Sequence, residues 1–285
     1  MLRLLIEKVK LAVQKRTGAG LKQKTYADWL AKGYNDEPEV TFVIESHNKS
    51  VQVCHVVEKL RRWQPGRAEL IVIDDGSTLE HTQRLAAMLT GANELLLRAN
   101  DLYENRTYDK ALHMARGRLV ALMQDDDDFA DTRWVDEAVG LFDAHPRLAI
   151  LGGNWALRME FDDAKRWGHG MHDEQTEAKG GFQLAESVNR APMWVRRDLF
   201  LEHLKHIDAV MAPFQYDDDE LCLRAWLCGL QVGWYDARFH SLAAGGMRLW
   251  NGGIKAEQCE RNGHRLYELY AHRMEEVRQA LNVEH

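Results

Sequence analysis

From residue 38 to about residue 150, short apolar runs alternate with amphipathic segments, and three of the apolar runs break off in a polar cluster. Segments 38–48, 69–73, 94–97 and 118–123 read as strands, and 51–63, 79–89 and 105–116 as helices. In the first helix, Val53, Val56, Val57 and Leu60 recur on one face. Strands alternating with helices are βαβ units. They predict an α/β fold with a mostly parallel central sheet flanked by helices. Ligands of such sheets bind beyond the carboxyl ends of the strands. The polar clusters at 45–48, 74–77 and 125–128 fall at those ends and so share one edge.

After residue 150 the alternation loosens. Residues 154–190 read as loops and short strands, and 197–207 as a helix. Residues 216–229 form another helix, opening on Asp217, Asp218, Asp219 and Glu220. A strand at 231–235 precedes His240, then Gly245 and Gly246, and a C-terminal helix is expected at 255–281. Residues 1–37 read as a helical N-terminal extension. Seven basic side chains against Glu7 give residues 1–24 a charge of +6, so the other residues carry −13 of the net −7. An acidic body argues against nucleic acid as a partner. The basic, amphipathic N-terminus fits either peripheral contact with an anionic membrane or a packed helix with a solvated basic face. No apolar run of about 18 residues predicts a membrane span. Cys54, Cys222, Cys228 and Cys259 form no CxxC pair, which fits reduced thiols and a cytoplasmic location, at the inner face of the membrane if the N-terminus binds there.

Three acidic groups carry the chemistry. Asp125, Asp126, Asp127 and Asp128 follow an apolar strand. Four adjacent carboxylates repel one another, and hard oxygen donors suit Mn²⁺ or Mg²⁺, which in turn bridge phosphate oxygens. The other reading is a solvated loop or a cap for the helix holding Trp134. Asp74, Asp75, Gly76 and Ser77 offer carboxylates to a base or ribose, or form a turn and helix cap. The acids at 217–220 either complement a helix dipole or include a general base. His240 is a metal-ligand candidate. Arg196, Arg197, Arg248 and Lys255 are candidate diphosphate or acceptor contacts. Trp155, Trp167, Trp194 and Trp250 are candidate sugar-stacking rings.

Five segments together resemble family 2 inverting glycosyltransferases of the GT-A fold. They are Val-Thr-Phe-Val-Ile-Glu-Ser-His-Asn at 40–48, Leu-Ile-Val-Ile-Asp-Asp-Gly-Ser at 70–77, Ala-Arg-Gly-Arg-Leu-Val-Ala-Leu-Met-Gln-Asp-Asp-Asp-Asp at 115–128, Val-Arg-Arg-Asp-Leu-Phe at 195–200 and Asp-Asp-Asp-Glu-Leu-Cys-Leu-Arg-Ala-Trp at 217–226. The resemblance implies transfer of a sugar from a nucleotide-diphosphate donor to a hydroxyl of a glycan or glycolipid, in bacterial surface polysaccharide or lipopolysaccharide synthesis. It implies nucleotide-sugar contacts from Glu45, Asn48, Asp74, Asp75, Lys110, Asp125 and Asp126. Asp127 and His240 become the metal ligands and Asp218 the base, with Asp217 and Asp219 as competitors. Residues 38–150 become the donor-binding half, 151–250 the acceptor-binding and catalytic half of the same domain, and 251–285 a C-terminal helical segment.

Departures from the pattern matter. Members often carry Pro-Thr-Tyr-Asn where this chain has Glu45, Ser46, His47 and Asn48. They often carry Ala-Arg-Asn-x-Gly where it has Thr107, Tyr108, Asp109, Lys110 and Ala111. The base-contacting Arg is therefore absent from its place, which leaves Arg106 or Lys110 for that role and the nucleotide, usually UDP, open. The rival readings are a sugar nucleotidyltransferase, for which residues 45–49 lack a glycine-rich basic phosphate loop, a non-catalytic carbohydrate-binding protein of the same fold, and a hydrolase using paired carboxylates.

Overall fold

The computed structural model describes residues 5–6, 8–10, 12–13, 26–64, 66–242 and 252–283. Thirteen strands occur among them: β1 Val40–Ser46, β2 Ala68–Asp75, β3 Glu94–Ala99, β4 Leu119–Met123, β5 Asp127–Asp128, β6 Leu148–Gly152, β7 Ala156–Asp162, β8 Trp167–His172, β9 Gln183–Leu184, β10 Ser187–Val188, β11 Met193–Arg196, β12 Gln231–Trp234 and β13 His240–Ser241. The longer helices are α1 Ser50–Leu60, α2 Leu79–Met88, α3 Tyr103–Met114, α4 Arg133–Ala144, α5 Asp217–Leu227, α6 Gly252–Tyr270 and α7 Met274–Val283.

The main sheet runs β3-β2-β1-β4-β11-β6-β12-β9. Its first four strands are parallel, as the βαβ pattern predicts. β11 runs antiparallel between β4 and β6. This insertion joins residues beyond 190 to the first half of the chain in one sheet. Every residue of β1 is buried. A central strand has both faces covered, so it reads as a continuous apolar run. Phe42 and Ile44 join one core with Trp63, Trp134 and Trp194, and Val43 joins the other with Leu112, Val120 and Leu221. Successive side chains point to opposite faces, which separates the two cores.

The looser region after residue 150 is more regular than the sequence suggests. β10, β7 and β8 form a second, antiparallel sheet. The segment expected as a helix at 197–207 is one short α-helical turn, Arg197–Leu199, running into a π-helix at Phe200–Leu204. The C-terminal helix is two helices, separated by a 3₁₀ turn at Ala271–Arg273. These helices fix α5 from behind. Tyr270 Oη donates to Glu220 at 2.7 Å, and the buried Asn262 amide donates to the carbonyls of Met211, Phe214 and Gln215. At the N-terminus a short helix spans Tyr26–Leu30. Leu5, Ile6, Val9 and Val13 are exposed, while Arg3, Lys15, Arg16, Lys22 and Lys24 lie outside the described residues. No helix among the described residues is long and apolar enough to cross a membrane.

The lower edge of the sheet is tied by Glu69, which accepts from Thr41 Oγ1 at 2.8 Å and from Arg116 Nε at 2.7 Å. Gly117 lies against β1 there. A Cβ on it meets the Thr41 nitrogen at 2.5 Å and the Val40 carbonyl carbon at 2.7 Å, and backbone of a central strand cannot give way. Gly117→Ala is expected to destabilise by about 2 kcal/mol, the usual scale of overpacking. Thermal unfolding checks this, with a fall of roughly 4–8 °C expected for a chain of this size.

Candidate active site

The three strand-end clusters do converge. β1 ends in Glu45 and Ser46, and the turn after it carries His47, Asn48 and Lys49. His47 donates its backbone N–H to Asp125 Oδ2 at 3.0 Å, and its Nδ1 lies 2.7 Å from the Asp75 carbonyl oxygen. Asn48 adopts the left-handed region, with φ of 59°, which Asn tolerates. It binds the 74–78 turn from both sides, donating its N–H to Ser77 Oγ and accepting from the Thr78 N–H, each at 2.9 Å. Asn48 therefore stitches the two loops together. Gly76 has φ of 79°, the conformation that the turn requires of it.

Asp74 and Asp75 are fully buried and hold backbone. Asp74 accepts from the Ser77 N–H at 3.2 Å and from the Thr82 hydroxyl. Asp75 accepts the N–H groups of Leu102 and Tyr103, both at 2.9 Å, at the start of α3. A carboxylate suits that position because the first N–H groups of a helix lack partners within it.

The tetrad at 125–128 does not cap α4, whose N-cap position is Thr132. Each acid has its own surroundings. Asp125 binds the Lys49 ammonium at 2.9 Å. Asp126 accepts from Ser241 Oγ at 2.7 Å. Asp127 accepts the Gln124 N–H at 2.8 Å, and burial, with the charges of Asp126 and Asp125, pushes its pKa up to about 8. Asp128 pairs with Lys59 at 2.6 Å. Burial opposes its ionisation, but Lys59 and the Phe129 N–H outweigh this and hold its pKa low. Strand β13 pairs with β5 so that His240 stands opposite Asp128, with Nε2 at 3.2 Å from Oδ2. His240 is thus beside the tetrad, nearer Asp128 than the sequence reading placed it. A buried, proton-retaining Asp127 among like charges is what a divalent cation would relieve, so the donor set fits Mn²⁺ or Mg²⁺.

Among the described residues, the trio whose ligand atoms lie within 4.8 Å of one another is a different one: Asp109, His113 and His206. It sits off the strand-end crevice. Asp109 accepts from the Ile207 N–H at 3.1 Å and from Lys110 at 2.9 Å. Lys110 therefore faces this cluster and lines a cavity with Arg106, His206 and Arg224, away from the nucleotide-binding position expected of it. Arg196 and Arg197 are also elsewhere. They donate to carbonyls at the ends of α4 and α3. Trp194 is core, and Trp167 packs on His169 and Tyr216. Gly245, Gly246, Arg248 and Trp250 lie outside the described residues.

The acidic start of α5 faces the same edge. Asp217, Asp218 and Asp219 line a cavity of about 330 Å³ with Gln124, Glu104 and Arg190. Gln124 is the residue whose N–H binds Asp127, which joins this cavity to the tetrad. Arg190, Glu104 and Tyr108 are contributions the sequence reading missed. Arg190 Nη2 lies 2.5 Å from Asp217 Oδ2, and its guanidinium stacks over Tyr108 at 5.1 Å. Asp219 accepts from Ser187 Oγ at 2.7 Å, and Glu220 accepts from Arg224 Nε at 2.8 Å. Asp217, Asp219 and Glu220 are buried, whereas Asp218 is the partly exposed member of the run. Burial raises the Asp218 pKa, with Asp217 adding to it and Arg190 opposing it. Burial and Asp218 push Asp219 up to about 7.

Glu45 lies beneath this floor, fully buried, with its carboxylate accepting from Thr107 Oγ1. Burial, and then Glu104, hold its pKa well above the ordinary carboxylate range. Glu45 Oε1, Arg190 Nε and Asp217 Oδ1 are buried without a hydrogen-bond partner. Folded proteins rarely leave such atoms idle, and a group of them under a cleft marks a binding floor.

Comparison with known proteins agrees with this geometry. No curated protein sequence matches the chain significantly. Among solved structures, GalNAc-T7, crystallised with UDP, GalNAc and Mn²⁺, superposes with a TM-score of 0.59 at 15% identity, over 73% of this chain and 44% of that one. Residues 1–349 of TarS from S. aureus, in complex with UDP-GlcNAc, give 0.56 at 14% identity, over 75% and 61%. The mannosyltransferase PcManGT from Pyrobaculum calidifontis, with GDP-Man and Mn²⁺, gives 0.53 at 15% identity, over 90% and 79%. The chain thus spans less than two thirds of the first two, and at these identities the likeness establishes the GT-A fold. The sequence profile described as "Glycosyl transferase family 2" matches residues 41–204, more than half of the chain, and the chain belongs to that family.

Proposed function

We propose that the protein is an inverting, metal-dependent glycosyltransferase that moves a sugar from a nucleotide-diphosphate donor, with UDP as the first nucleotide to test, to a hydroxyl of a glycan or glycolipid. Bacterial surface polysaccharide or lipopolysaccharide synthesis is the setting we propose for it. The observation that carries the reading is the sorting of the acids on α5: three are buried and occupied, and Asp218 opens into a cavity that adjoins the 125–128 tetrad.

In this reading residues 38–150 take the donor and residues 151–250 supply the acceptor side. Asp127, with His240 beside the tetrad at Asp128, would hold the Mn²⁺ or Mg²⁺. The metal supplies Lewis-acid neutralisation of the charge growing on the leaving nucleotide. Asp125, fixed by Lys49 and the His47 N–H, lies at the donor's ribose. Asp74, Asp75, Asn48 and Glu45 shape the nucleoside side by holding its loops. Asp218 accepts the proton of the acceptor hydroxyl as that oxygen attacks the anomeric carbon on the face opposite the diphosphate. A carboxylate raised by burial is a better base than a solvated one. Arg190 pairs with Asp217 and moderates Asp218. The relatives crystallised with Mn²⁺ and with UDP-GlcNAc or GDP-Man support a nucleotide-sugar donor for this chain.

Three outcomes test the reading. Asp218→Asn is expected to keep the donor's thermal shift and to lower transfer by about 10²–10⁴-fold, the usual worth of a general base. Wild-type turnover in that variant removes Asp218 from the role. Asp127→Ala is expected to lose the calorimetric signal of donor binding that depends on Mn²⁺, and an unchanged affinity contradicts the metal assignment. The base works ionised, so activity is present above its pKa and falls as pH drops through it. The acid limb of the kcat profile should therefore lie above the ordinary aspartate value of about 3.9. Arg190→Gln removes an opposing cation and should move that limb to higher pH, while Arg190→Lys should leave it in place. A limb that stays put in Arg190→Gln contradicts the coupling.

A further inference from the structure

The cavity in front of Asp218 carries two features beyond the base. The first is Trp155, in the turn between β6 and β7. The residue is 48% exposed, although large aromatic residues are usually covered. It is nonetheless fixed. Asn189 Oδ1 accepts its backbone N–H at 2.9 Å, and the His172 imidazole stacks on it at 5.0 Å between centroids and 25° between planes. His172 is itself held, with Nε2 at 2.9 Å from Glu177 Oε2. Trp155, His172 and Asp218 line the same cavity, so a braced aromatic residue borders the space in front of the base. A flat, rigid π-face bordering polar groups suits the C–H face of a sugar ring.

The second feature is charge. Among the described residues, Asp217, Asp218 and Asp219 line the cavity, against Arg190, which is paired with Asp217, and His172, which is paired with Glu177. A further anion placed here is repelled at close range, whereas an amine is attracted. We propose that the acceptor seat takes a pyranose that is neutral or amine-bearing, stacked on Trp155, and turns away sugars carrying a carboxylate or phosphate near the reacting hydroxyl. This rests on the transferase reading, because it takes the cavity in front of Asp218 as the acceptor's place.

The test separates the two. Purified protein is first incubated with UDP-glucose, UDP-N-acetylglucosamine or GDP-mannose and Mn²⁺, and release of free sugar is measured. Failure on all three counts against the transferase reading. Binding of p-nitrophenyl glucosides and galactosides, in their neutral, 2-amino and uronate forms, is then titrated by ligand-observed NMR. The neutral and amino forms should bind, and the uronates at least tenfold more weakly. Trp155→Ala should weaken the neutral ligands at least tenfold, and Trp155→Phe, which keeps a ring and checks that the fold survives, should retain most of the affinity. Equal binding of the uronates, unchanged affinity in Trp155→Ala, or no pyranoside bound by a protein that hydrolyses a donor would each overturn the proposal.

Discussion

A carboxylate taken out of water must find hydrogen bonds, an opposite charge or a proton, and the upper edge of this sheet buries Glu45, Asp74, Asp75, the four acids at 125–128 and, on α5, Asp217, Asp219 and Glu220 under that rule. The architecture there follows from how each one is satisfied. Asp75 is satisfied by the N-terminus of α3, Asp74 by its own turn, Asp128 by Lys59, Asp125 by Lys49 and Asp217 by Arg190. Those partners tie the loop after β4 to the turn after β1 and to α1, the end of β2 to the start of α3, and the start of α5 to Arg190. Breaking such a buried pair by removing one partner typically costs about 3–5 kcal/mol, so the site's shape and the protein's stability are bound together.

Two acids with few partners are the ones to which chemistry is assigned. Asp127 has one backbone N–H and two like-charged neighbours, and it retains a proton near neutral pH. Asp218 has an N–H from its own helix and an open side. In the proposed reaction a cation would complete the first and an acceptor hydroxyl the second. Gln124 links the two, since its N–H binds Asp127 and it lines the cavity that Asp218 also lines.

The parallel half of the fold was legible in the residues, because strands such as β1 are buried on both faces and end abruptly in polar loops. The strand order was not. β11 is four residues long, and nothing local in Met193, Trp194, Val195 and Arg196 says that they run antiparallel between β4 and β6. The hairpin of β7 and β8 was hidden by its many exposed and glycine positions. At the site, the acids were conspicuous, but their division of labour was not, since four consecutive carboxylates look alike until their partners are known. Those partners, Arg190, Ser187, Arg224 and Tyr270, are distant in the chain. Lys110 illustrates the converse: a basic residue at a plausible position whose helix turns it toward Asp109 and His206.

The central claim is a single displacement in which one open carboxylate, Asp218, deprotonates the acceptor across the sugar from a metal-held diphosphate. Proton NMR of the anomeric signal during the first turnovers of an accepted nucleotide sugar tests it most directly. The account predicts a product of inverted anomeric configuration relative to the donor. Retention of configuration would contradict it, because a lone base on the far face of the sugar cannot deliver that outcome.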